Sequence, residues 1–90
     1  GISDLESLAN LRRLKFLNLA ENSVVDLSPL RDLDQLTTLN LTNNEVTDLS
    51  PLLDLAGLKS VWVRGNTLSE DTQNNVIPIL RDRGAYVIGP

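Results

Sequence analysis

The sequence predicts an α/β solenoid. A curved parallel sheet should line its concave side, short 3₁₀ or helical turns its convex side, and a helical cap its C-terminal end. Three observations carry this expectation. Leucines recur with a 22-residue period, apolar and polar residues alternate within each copy, and the pattern turns helical after Asn66. Alternation is the period of a strand, and a fixed period of 20–29 residues marks units that stack.

The period is read by setting Leu11–Asp32 over Leu33–Asp54. Leu11, Leu14, Leu17, Leu19, Asn22, Val24, Asp26, Leu27, Ser28, Pro29, Leu30 and Asp32 return as Leu33, Leu36, Leu39, Leu41, Asn44, Val46, Asp48, Leu49, Ser50, Pro51, Leu52 and Asp54. Leu55, Leu58, Val61, Val63, Asn66 and Leu68 open a third copy, which then departs from the template. Ile2, Asp4, Leu5 and Leu8 match the second half of a copy, so the sequence begins in mid-repeat. The chain divides at 1–68 into one half repeat plus about three coils, and at 69–90 into a cap of a helix and a short strand.

Within each coil, Leu17 and Leu19 and their equivalents face one side while the residues between them face the other. One such strand cannot bury its leucines alone, so the coils must stack into a parallel sheet over a continuous core. Asn22, Asn44 and Asn66 fall where the chain leaves the sheet, and their amides can satisfy turn groups that no strand reaches. Ser28-Pro29 and Ser50-Pro51 suit an N-cap and a first helical position, giving one short turn per return. After Asn66, Ser69 or Asp71 can cap a helix whose apolar face is Val76, Ile77, Ile79 and Leu80, with Gly84 as its stop. Pro78 requires a kink or two short helices. Tyr86-Val87-Ile88 either adds a final strand or packs across the end of the sheet. Nothing ahead of Ile2 covers the first coil, which predicts further repeats upstream or self-association through this end.

The motifs LKFLNLAEN, LTTLNLTNN and LKSVWVRGN, with the tails SVVDLSPL and EVTDLSPL, carry a resemblance. Over roughly residues 2–68 the chain resembles leucine-rich-repeat proteins, in particular the 22-residue class of bacterial internalin-like proteins. The resemblance implies a recognition scaffold that binds a protein partner. It also favours the cell surface or secretion, although cysteine-free repeats suit the cytoplasm equally.

Composition removes several functions. The absence of Cys and His excludes disulfides, thiol nucleophiles, an imidazole base and ordinary zinc ligation. A net charge of −4 lacks the clustered basic footprint of a nucleic-acid binder, and no apolar run reaches the ~18 residues of a membrane-spanning helix. No cofactor is called for. Asp4, Asp26, Asp48 and Glu70 recur as a carboxylate ladder, but one carboxylate per coil falls short of the 6–8 oxygens calcium takes, so each Asp is read as a turn cap. Asn40-Leu41-Thr42 matches a glycosylation sequon whose residues the template already dictates. Asp32 and Asp34 have neither pocket nor nucleophile beside them.

The outward columns of the sheet remain. They are Lys15, Thr37 and Lys59; Phe16, Thr38 and Ser60; Asn18, Asn40 and Trp62; Ala20, Thr42 and Arg64; and Glu21, Asn43 and Gly65. Phe16 and Trp62 are two of only three aromatics and fall where packing does not demand them, and interfaces favour aromatic and Arg anchors. The expected partner-binding residues are therefore Phe16, Asn18, Asn40, Lys59, Trp62 and Arg64. The rival expectation is a structural segment that caps a longer solenoid whose binding site lies elsewhere.

Overall fold

The computed structural model describes residues 4–89. Four three-residue strands, β1 (Phe16–Asn18), β2 (Thr38–Asn40), β3 (Ser60–Trp62) and β4 (Tyr86–Ile88), form one parallel sheet in chain order. The first three are the template copies stacked in register: Leu17 lies against Leu39, and Leu39 against Val61. Val87 of β4 continues that inward row, so the last strand joins the sheet, one of the two alternatives open for it.

Each return to the sheet is a 3₁₀ turn, at Glu6–Leu8, Ser28–Leu30 and Ser50–Asp54. The same bond recurs in all three: Leu8 N–H to Leu5 O, Leu30 N–H to Leu27 O and Leu52 N–H to Leu49 O, each 2.9 Å. A coil of 22 residues has no room for a long helix, and Pro29 and Pro51 preset the φ that the turn needs. Ser28 and Ser50 do not cap these turns as expected; each is itself the first residue of its turn. The Asp two residues earlier does the capping: Asp4, Asp26 and Asp48 accept N–H bonds from Glu6, Ser28 and Ser50 at 2.8–2.9 Å. A charged carboxylate is the stronger acceptor, and Ser50 spends its hydroxyl on that same Asp48. Glu70 takes no part in this ladder, because it stands in the first turn of the C-terminal helix instead.

The core is an aliphatic column of template residues. Leu30, Leu33, Leu36, Leu39, Leu41, Val46, Leu49, Leu52, Val61 and Val63 are all fully buried, and each such side chain contributes on the order of 1.5–3 kcal/mol. Between core and turn runs the asparagine ladder. Asn44 Oδ1 accepts the Val24 N–H (2.9 Å), and its Nδ2 donates to Leu19 O (2.8 Å) and Leu41 O (3.0 Å). Asn66 repeats this one coil later with Val46 N–H, Leu41 O and Val63 O. Each amide therefore ties its own turn to the preceding coil. Asn22 donates to Leu19 O at 2.9 Å and Ala20 O at 3.2 Å.

Ser69 proves to be the helix cap: its Oγ accepts the Thr72 N–H at 3.1 Å. The chain then runs through a π-helical turn, Thr72–Val76, straight into α1, Ile77–Asp82. This resolves the expected disturbance at Pro78 without a break. Proline has no N–H, and its ring collides with the carbonyl four residues back, so widening the preceding turn relieves the clash. The Ile77 N–H accordingly bonds to Thr72 O, five residues back. Thr72 is fully buried and fastens this segment to the last full repeat, donating to Thr47 O (3.0 Å) and accepting the Leu49 N–H (3.4 Å). Arg83 reaches across to Leu53 O at 2.5 Å.

At the opposite end, Ile2 lies outside the described residues. There Leu11 is 47 % exposed, whereas its equivalents Leu33 and Leu55 are at 0 % and 2 %.

Candidate binding face

The sheet has one face on the core and one on solvent, and the strand register arranges the solvent face into rows that cross the strands. One row is Phe16, Thr38, Ser60, Tyr86; the next is Asn18, Asn40, Trp62, Ile88. Lys15, Thr37 and Lys59 flank the first row where the chain enters the strands, and Ala20, Thr42 and Arg64 flank the second where it leaves them. With strands about 4.8 Å apart, Phe16 and Tyr86 stand roughly 14 Å from one another at the two ends of their row.

The six expected residues all lie on or beside this face. Phe16 is 71 % exposed, Asn18, Lys59 and Arg64 are exposed, and Asn40 and Trp62 are half-buried. Register brings Asn18, Asn40 and Trp62 into one row, while Phe16 belongs to the other. Tyr86, 73 % exposed, was not among the expected residues and is the best presented aromatic of the three. The signal for it was present: if Val87 faces the core beside Val61, Tyr86 must face out.

Hydrogen bonding fixes the amides of this face. Asn18 Oδ1 accepts the Ala20 N–H at 3.0 Å. Asn40 Oδ1 accepts the Thr42 N–H at 3.0 Å and the Thr42 hydroxyl at 2.7 Å. Because a backbone N–H can only donate, each amide oxygen must face it, and each NH₂ is turned away. The Thr37 hydroxyl donates to Lys15 O at 3.1 Å.

Beyond the strands the chain turns through left-handed residues at equivalent places: Glu21 (φ 61°), Asn43 (φ 59°) and Gly65 (φ 79°). Asn43 Nδ2 donates to Glu21 Oε2 at 3.1 Å, and its Oδ1 occupies the space that a side chain at residue 65 would need. Both the positive φ and the crowding by Asn43 favour glycine there.

The other candidates sit away from this face. The Asp ladder is on the turns, where the backbone bond from Ser28 holds the Asp26 carboxyl below its ordinary pKa, helped by the Ser28 hydroxyl. Among the described residues no cluster of acidic side chains could hold a metal ion. Asp32 and Asp34 are exposed, and a backbone bond links them, Asp34 N–H to Asp32 O at 2.9 Å.

The family described as Leucine Rich repeats (2 copies) matches residues 34–76. The fold is that of a leucine-rich-repeat solenoid of the internalin kind. The chain is similar to internalin C2 of Listeria monocytogenes at 25 % identity and a TM-score of 0.75, over 98 % of this chain and 46 % of that one. It is also similar to the internalin inlF of Listeria monocytogenes at 25 % identity and a TM-score of 0.62, over 97 % of this chain and 31 % of that one. The chain thus spans less than half the length of either. No curated protein matches it.

Proposed function

We propose that the chain is a non-enzymatic recognition module that binds a protein partner on its concave sheet face. The observation that supports this reading best is the gathering of all three aromatics, Phe16, Trp62 and Tyr86, on the one face the core does not use. Exposed aromatic side chains with an Arg and amides nearby have the composition of binding hot spots. Phe16, Tyr86 and Trp62 act as anchors, Asn18 and Asn40 as hydrogen-bond donors, and Lys59 and Arg64 as charged contacts at the rim.

The test is to capture binders from an extract with the wild-type chain and with the Phe16→Ala/Tyr86→Ala variant. A binder held through this face is lost from the variant while its melting temperature falls by no more than a few degrees, since exposed substitutions change stability by less than about 0.5 kcal/mol each. Retention of every binder by the variant sinks the reading. The exposure of Leu11 beside Asn10, Arg12, Arg13 and Leu14, which together line an open hollow, supports self-association as a second reading. Sedimentation that gives a monomer at every concentration excludes it.

A further inference from the structure

We infer that the occupant of the sheet face is a short acidic segment of a protein, lying across the strands along the Phe16–Tyr86 row. This rests on the binding reading above and adds the chemistry of the partner.

Charge is the first support. The chain carries eight basic and twelve acidic residues, yet the outward columns hold three cations, Lys15, Lys59 and Arg64, against one acid, Glu21. Glu21 lies beyond the strand end with its carboxylate engaged by Asn43. A chain of net charge −4 thus presents a face of net +2 (three minus one), with the remaining eleven carboxylates placed elsewhere. Segregation of this kind steers an oppositely charged partner and repels a like one.

Hydrogen-bonding polarity is the second, independent support. Asn18 and Asn40 each commit their amide oxygen to the backbone and present NH₂, and Thr42 commits its hydroxyl to Asn40. Lys and Trp side chains have donors and no acceptor. The row Asn18, Asn40, Trp62 is therefore a line of donors, and the lysines that flank the other row add more. The complementary surface is rich in acceptors, as carboxylates and peptide carbonyls are.

The distances set the size. Three strand spacings separate the aromatics by about 14 Å, the reach of four or five extended residues at about 3.3 Å each. Between them Thr38 and Ser60 form a low floor, half-buried and without bulk. An apolar side chain at each end of such a segment meets Phe16 or Tyr86. Carboxylates between them reach Lys15 and Lys59 on one side and the amide row on the other.

The probe is a bead library of terminally blocked random nonapeptides, with Asp, Glu, Lys and Arg equally represented, screened against the labelled chain. The expected hits are enriched in Asp and Glu next to aliphatic or aromatic residues. Their binding weakens roughly tenfold or more in Lys15→Glu/Lys59→Glu and falls with added salt, while the circular dichroism of that variant is unchanged. Hits that are neutral or basic, yet lost in Phe16→Ala/Tyr86→Ala, overturn the acidic occupant and leave the sheet-face reading standing. Hits indifferent to both variants overturn both. The absence of any peptide binding tighter than about 1 mM overturns the acidic segment, and uncharged glycans binding the same face on an array would replace it.

Discussion

Asn44 and Asn66 share an acceptor, and their joint removal should cost more than the sum of the two single losses. In Asn44→Ala the Leu41 carbonyl keeps the Asn66 amide at 2.8 Å, and the Leu19 carbonyl keeps the Asn22 amide at 2.9 Å. Only the buried Val24 N–H is orphaned, at about 1–3 kcal/mol, and thinning the bonds to two carbonyls brings the total to roughly 2–4 kcal/mol. Asn66→Ala strips the Val46 N–H and the Val63 carbonyl, but this amide is half-buried and water replaces part of the loss, giving roughly 2–3 kcal/mol. In the double variant the Leu41 carbonyl loses both donors, a further penalty of about 1–2 kcal/mol that neither single change contains. A 90-residue chain has only about 5–13 kcal/mol of stability, so all four proteins should be unfolded by urea in a fixed concentration of an osmolyte such as TMAO, which keeps the double variant folded at the start. Far-UV circular dichroism reads the repeats, and fluorescence of the single Trp62 checks that the transition is two-state. Costs that add to within about 0.5 kcal/mol would show that the two amides are not bridged through Leu41.

Gly65→Ala is expected to lose about 1–2 kcal/mol, because a Cβ meets both a φ of 79° and Asn43 Oδ1; Glu21→Gly, which relieves a φ of 61°, should lose little or gain, and the order of melting temperatures checks both. Thr72→Val keeps the shape but orphans the Leu49 N–H, while the Thr47 carbonyl keeps the Ser69 N–H at 2.9 Å, so chemical denaturation should register about 1–3 kcal/mol. The Asp26 carboxyl has its folded pKa lowered, first by the Ser28 backbone bond, so its contribution is present above the unfolded carboxylate pKa and is lost as pH falls through the folded one. Calorimetry of Asp26→Ala should therefore show a melting-temperature deficit near neutrality that shrinks with acidification, and a deficit independent of pH would assign the effect elsewhere.

The fold was legible because the template repeats what packing demands. A core leucine missing from one coil would leave a cavity over its neighbour, so the inward positions reappear at intervals of 22 and declare themselves. The capping roles were less legible. Asp26 and Ser28 both suit a turn, and only the geometry shows the carboxylate receiving the N–H and the serine standing inside the turn. The π turn was invisible for a similar reason: Pro78 announces a disturbance, but kinking, breaking and widening all relieve the same clash.

Tyr86 escaped for a reason that also bears on the face it completes. From Phe16 to Thr38 to Ser60 the step is 22 residues, but from Ser60 to Tyr86 it is 26, so no template column reaches it. The four extra residues are about one turn of helix, and they sit where the 3₁₀ return is replaced by the π turn and α1. Despite the longer path, β4 pairs in the register that continues the inward row at Val87. That register is set by the core, since slipping by one residue would bury Tyr86 and expose Val87. The core thereby fixes which row the outward side chain joins, without fixing what that side chain is. Val87 is accounted for by burial, whereas an exposed Tyr86 at the far end of the Phe16 row gains nothing from packing. The two aromatics that end that row are a part of the sequence that burial does not account for, and the proposed binding role would account for them.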